Sequence, residues 1–214
     1  MQVPIPPGAK PSAGSDGQMI VVDLETGDEY DIWRYSAPNR CENITKYVRG
    51  VHRDAVEENY RSRGAGVPYL AGLIRPWEIA QGRIEHALAF GYSLTRSTRC
   101  VWPASKTDGK SDNPNAIPQG ARIQLDPALD VDSIPGLDRT GRIIARALQE
   151  YGAFLIDTSG ANKIYVEDNL TAEWGATLIT TTVSAIPVES LRVLALPAGY
   201  WSEKYEPNFG NCVQ

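Results

Sequence analysis

The sequence predicts a mainly β protein, an antiparallel two-sheet β-sandwich of jelly-roll-like form with one or two short accessory helices. Short segments of alternating apolar and polar residues recur along the chain, and clusters of Gly, Asn, Asp and Pro separate them. Two stretches read as helices, one from its start and stop residues and one from its spacing. With 214 residues, 42% hydrophobic and 22% charged, the chain is ordinary for a globular protein and long enough to bury a core. The reading divides it into a flexible segment, 1–17, rich in Pro, Gly and Ser, and a single β-sandwich domain, 18–214.

In chain order, "QMIVVDL" (18–24) and "EYDIWRY" (29–35) flank a Gly-containing turn and read as a hairpin. Residues 40–66 are polar and read as an irregular excursion. In "LIRPWEIAQG", Pro76 suits the first turn of a short helix and Gly82 its end. "RIEHALAFGY" (83–92) reads as a strand with Ile84, His86, Leu88, Phe90 and Tyr92 on one face. "RCVWPAS" (99–105) is its expected partner, and "KTDGKSDNPNAIPQG" (106–120) is a long loop of the kind that is either functional or disordered. "ARIQLDP" (121–127) resumes the alternation. "DRTGRIIARALQEYG" (138–152) is the best helix, with Thr140 as its expected N-cap and Ile144, Ala147, Leu148 and Tyr151 on one face. "AFLIDTS" and "KIYVEDN" read as a second hairpin around "GAN", and "TLITTTVSAIPV" and "LRVLALP" as the closing strands.

The net charge of −5 and the scattered basic residues argue against nucleic acid as a partner. No apolar run reaches the roughly 20 residues that span a bilayer, so no membrane partner is expected. Met1 is followed by "QVPIPPGAKPSAGSDGQ" without an apolar signal region. Such an opening often follows a removed export signal; a cytoplasmic protein with a frayed N-terminus is the alternative. Cys41, Cys100 and Cys212 show no CxxC spacing, and they fit either one disulfide plus a thiol or three reduced thiols.

Motifs for nucleotide binding, nucleophile elbows and zincin sites are absent, and two histidines are too few for a three-histidine metal centre. No cofactor is expected. A structural calcium at "TDGKSDN", through Asp108 and Asp112, is the one metal candidate, weighed against a solvated turn. His86 stands among the most apolar side chains of its segment. It reads either as a core histidine with bonded nitrogens or as a general acid–base, with Glu78, Asp126 and Asp157 as candidate partners. Asp157 follows Phe154, Leu155 and Ile156, where an unpaired carboxylate is costly, so it needs a partner such as Arg122 or His86. Glu78, Glu85, Asp108, Asp126, Asp157 and Glu167 are candidates for paired-carboxylate glycoside hydrolysis. Among the five tryptophans, Trp33 and Trp102 alternate with polar neighbours in their segments and are candidates for stacking on sugar rings.

Three blocks, "AGLIRPWEIAQGRIEHALAF", "PQGARIQLDP" and "RALQEYGAFLIDTSG", follow the patterns GLxRxxEIxxGxIxHAL, PxGxRxxLxP and ALxxYGxxLxD. In this the chain resembles a set of largely uncharacterised, mostly exported bacterial jelly-roll-like proteins, over about half its length. The resemblance implies an exported protein acting on cell-wall or plant polysaccharide. Within the blocks the polar positions are Arg75, Glu78, His86, Arg122 and Asp157. The functional expectation is therefore a carbohydrate-active protein, foremost a glycoside hydrolase and secondarily a polysaccharide lyase. Glu78, His86 and Asp157 would do the acid–base work, and Arg75, Arg122, Trp33 and Trp102 would hold a polysaccharide or oligosaccharide. The alternatives are a non-catalytic carbohydrate-binding module and a structural or assembly subunit.

Overall fold

The computed structural model describes residues 3–36, 41–49 and 62–196, together with the backbone of 202–203. Among the described residues, ten strands and two α-helices are laid out as β1 (Met19–Val22), β2 (Glu29–Trp33), β3 (Asn43–Tyr47), α1 (Pro76–Gln81), β4 (Leu88–Tyr92), β5 (Arg99–Cys100), β6 (Arg122–Leu125), α2 (Arg139–Glu150), β7 (Ala153–Thr158), β8 (Lys163–Ile164), β9 (Leu191–Val193) and β10 (Ser202–Glu203). The protein is mainly β, with a three-stranded sheet in the order β1-β2-β3, a five-stranded sheet in the order β8-β4-β7-β6-β9, and a β5–β10 ribbon.

The first sheet is the expected hairpin plus β3, all antiparallel. The second sheet departs from the antiparallel expectation, because β4 and β7 run parallel. Between them the chain passes through the 106–120 loop, β6 and α2, a connection long enough for a parallel return. The hairpin expected between β7 and β8 does not form. β4 lies between them, pairing with β8 antiparallel and with β7 on its other side. As an inner strand it buries Leu88, Ala89, Phe90 and Gly91 in succession, so the alternation expected of a one-sided strand is absent. Residues 83–87 stay outside the strand, β5 pairs with β10 and not with β4, and 177–187 is a run of turns in place of the expected strand.

The main hydrophobic cluster fills the space between the second sheet and α2, with Ile143, Ile144 and Leu148 of the helix against Leu88, Phe90, Ala153 and Leu155. Burying each large aliphatic side chain there contributes about 1.5–3 kcal/mol. The N-cap of α2 is Asp138, two residues earlier than the expected Thr140; its carboxylate accepts from Gly141 N at 2.6 Å. Gly152, at φ 70, ends the helix as expected.

A second cluster lies under the first sheet around Ile32 and includes Val3, so the segment before β1 packs on that sheet without regular structure. A third covers the opposite face of the second sheet, with Ala65, Val67, Ala89, Cys100, Ala104 and Ile156 and the rings of Phe154 and Tyr165. β7 therefore sends Ala153 and Leu155 to one side and Phe154 and Ile156 to the other. Then its register slips: Phe90 pairs with Leu155, but Gly91 pairs with Asp157. The extra residue is a β-bulge, which turns the following side chain across the sheet. Asp157 would otherwise face the α2 side; the bulge delivers it to the face of Ile156 and Tyr165.

Candidate functional site

Glu78 and His86 are in contact, as one of the sequence alternatives required. His86 Nε2 lies 2.8 Å from Glu78 Oε1, and Glu78 Oε2 accepts from Arg75 N at 2.8 Å. The second ring nitrogen of His86 is 3.0 Å from Ala87 O. Glu78 sits at the third position of α1 and closes the free N–H at the helix start, while Gly82 in the left-handed region (φ 89) ends the helix four residues on. With a side chain only 3% exposed and both oxygens bonded, Glu78 has little left to offer a substrate. The contact fastens α1 to the chain that enters β4.

Asp157 does not join them. Leu88 at the start of β4 lies beside Ala153 at the start of β7, so Asp157 stands four residues further along, while His86 precedes β4 altogether. At about 3.3 Å per residue the separation is roughly 13 Å or more. The single cleft expected for Glu78, His86 and Asp157 is therefore replaced by two places at opposite ends of one strand pair.

The group around Asp157 is built from four parts of the chain. The 106–120 loop supplies Asp108 and Gln119, the turn before Ala65 supplies Arg63 and Gly64, β7 supplies Asp157 and Thr158, and the residue after β8 supplies Tyr165. A methyl placed on Gly64 would stand 2.5 Å from Asp157 Oδ1 and 2.6 Å from Asp108 Oδ2. The two carboxyls thus converge over the one residue without a side chain, close enough to share a proton.

Asp108 Oδ1 accepts from Thr158 N at 3.2 Å, from Thr158 Oγ1 at 2.6 Å and from Gln119 Nε2, and Asp108 N donates back to Gln119 Oε1 at 3.2 Å. Asp157 Oδ2 accepts from the Tyr165 hydroxyl at 3.1 Å. Burial, and then the charge of Asp108, push the Asp157 carboxyl up to about 7, with the Arg63 charge and the Tyr165 hydrogen bond working in the opposite direction. Burial likewise raises the Tyr165 hydroxyl. Both carboxyl residues keep part of their surface exposed, while Thr95, Thr107 and Gln119 behind them are buried.

Arg63 is 3% exposed and lies between two rings, 4.7 Å from the centroid of Tyr69 and 5.1 Å from that of Tyr165, with Nη1 donating to Pro68 O at 3.0 Å. Its charge also opposes the upward shift of Asp31, a fully buried carboxyl on β2 raised by burial and by Glu29 and bonded to Tyr69 N at 2.8 Å.

The other expected residues are dispersed. Arg75 precedes α1, and with Arg63, Tyr69 and Tyr165 it lines a pocket of about 340 Å³. Arg122 lies over the ring of Phe154, its cross-strand partner, at 5.7 Å, and that contact takes the place of the expected pairing with Asp157. Asp126 pairs with Arg192 at 3.1 Å and not with His86. Trp33 is stacked by Arg34 at 4.5 Å. Trp102 is 51% exposed at a pocket of about 540 Å³ that Glu29, Tyr47 and Arg49 also line. The expected calcium pair does not assemble: Asp108 belongs to the carboxyl pair and Asp112 accepts from Ser97 Oγ. Among the described residues no group of three or more His, Cys, Asp or Glu side chains could hold a metal ion.

Asp108 is one of many acids in the sequence, and neither its pairing with Asp157 nor the parts of Arg63, Gly64, Gln119 and Tyr165 can be read there. Both aspartates precede a glycine closely, in "TDG" and "DTSG", a faint signal of chain bending at an acid. No protein-family model, no curated protein and no solved structure matches the chain.

Proposed function

We propose that the chain is an acid–base hydrolase of glycans whose working group is the Asp108–Asp157 pair. The observation that carries this is the convergence over Gly64 of the two carboxyls, on residues that keep part of their surface exposed, with Asp157 raised to about 7. A raised acid beside a hydrogen-bonded carboxylate is the division of roles that hydrolysis needs. Protonated Asp157 gives its proton to the leaving oxygen as the C–O bond breaks. Asp108 takes a proton from the water whose oxygen forms the new bond to carbon. A contact pair differs from glycosidase carboxyls held roughly 5 to 9.5 Å apart, so on this reading bond and water approach the pair from the same side.

The glycan substrate follows the sequence resemblance and the exposed ring of Trp102 beside an open pocket. That pocket has Glu29 and Tyr47 of the first sheet on one wall and Leu88, Phe154 and Ile156 of the second on another. This arrangement supports reading the two sheets as an open sandwich. Cys41 is disulfide-bonded, which supports export to an oxidising compartment. The exposure of Trp102 also favours a second reading, a non-catalytic carbohydrate-binding module.

A panel of polysaccharides, oligosaccharides and peptides with product analysis, run beside Asp157→Asn and Trp102→Ala, separates these. The hydrolase reading predicts glycan cleavage lost in Asp157→Asn. Binding without cleavage, abolished by Trp102→Ala, would establish the second reading, and cleavage of peptides alone would overturn the glycan assignment.

A further inference from the structure

We infer that Lys163 is a specificity residue of this site and selects glycans that carry a carboxylate, an inference that rests on the hydrolase reading above. The register of the second sheet carries it. Gly91 of β4 pairs with Asp157 on one side and with Lys163 on the other, so the three residues stand in a row across β7, β4 and β8. The β7 bulge puts Asp157 on the face of Tyr165. The Lys163 stem lies on that face as well: a methyl built on Gly91 would stand 3.0 Å from Tyr165 Oη, 3.4 Å from Lys163 Cγ and 2.9 Å from Ser159 Cβ.

With no side chain at Gly91, Tyr165 reaches across to Asp157 and the Lys163 stem closes in behind it. The Lys163 ammonium lies 5.9 Å from the Tyr165 ring centroid, on an exposed residue with no carboxylate partner among the described residues. Two strand spacings of about 4.8 Å separate the backbone of Lys163 from that of Asp157, roughly 10 Å. One pyranose ring laid over Tyr165, which fills the space between the two residues, covers that span, with its glycosidic oxygen at Asp157 and a substituent at Lys163. A cation as the anchor at the far end favours a ring bearing a carboxylate, a uronic acid, over a neutral hexose.

The test is calorimetric binding of an oligogalacturonate tetramer and a neutral oligoglucoside tetramer to Asp157→Asn, with and without Lys163→Met, beside turnover of both glycans by the unaltered protein. We expect the oligogalacturonate to bind, Lys163→Met to weaken it at least tenfold, and the neutral glycan to be unaffected by Lys163→Met. Equal affinity with and without Lys163, equal weakening of both glycans, or no oligogalacturonate binding overturns the inference. Lys163-dependent binding without turnover by the unaltered protein leaves Lys163 as the anchor and removes the hydrolase reading. Turnover of the neutral glycan without oligogalacturonate binding does the reverse.

Discussion

The Tyr165 hydroxyl donates to Asp157 Oδ2 at 3.1 Å, and it does so across a glycine. Three local features make that contact. The bulge in β7 turns Asp157 over, Gly91 opens the way between strands, and β8 ends where Tyr165 can face inward. The hydrogen bond favours the charged carboxylate, so it opposes the burial that raises Asp157. Tyr165→Phe removes that opposition. The midpoint for Asp157 should then move further above 7, by about half a unit to one unit, and the pH dependence of any hydrolysis should move up with it. An unchanged or lowered midpoint would contradict the assignment.

Asp157 makes stability depend on pH with a definite sign. In the folded chain its carboxyl holds a proton up to about 7, against an ordinary value of 3.8. Between those values the folded state binds more protons than the unfolded state, so stability falls as pH rises across the window. Asp157→Asn removes this dependence. Allowing for the partial exposure of the group, the variant should gain about 1–2 kcal/mol over the unaltered protein at pH 8 and nothing at pH 4. Urea unfolding at the two pH values measures the difference, and an equal effect at both would count against it.

Gly64 is expected to tolerate no side chain. A Cβ there would overlap both carboxyls, so Gly64→Ala should cost about 1–3 kcal/mol through overpacking and separate the pair. Gly160, where a Cβ meets nothing within 4 Å, provides the control. Gly160→Ala should be close to neutral by thermal unfolding and should leave the Asp157 midpoint in place.

The Glu78–His86 contact is a fastening, and its variants should show it. Glu78→Ala strands Arg75 N and His86 Nε2 without their acceptor, a loss of about 1–3 kcal/mol. His86→Ala should cost less, because the ring is partly exposed. Neither change should lower kcat in protein that remains folded; a large kcat loss with full stability would return these residues to the chemistry.

Much of the fold was legible because local rules governed it. The β1–β2 hairpin, α1 between Pro76 and Gly82, and α2 ending at Gly152 each carry their own start or stop signal. Strand order did not, since nothing in "AFLIDTS" or "KIYVEDN" says that β4 inserts between them. The Glu78–His86 contact was accessible from sequence because a single short helix joins the two residues. The Asp108–Asp157 pair was not. It depends on a bulge and on a loop folding back over 49 positions of sequence, and neither leaves a periodic trace. Asp157 was expected to find its partner in Arg122 or His86, but Arg122 is drawn to Phe154 and His86 to Glu78.

The most direct test of the shared-proton pair is a pH titration of the Asp157 side-chain carboxyl by carbon NMR, in the unaltered protein and in Asp108→Asn. The account predicts a midpoint near 7 that falls toward the ordinary aspartate range when the Asp108 charge is removed. A midpoint near 4 in the unaltered protein, or one indifferent to Asp108, would contradict it.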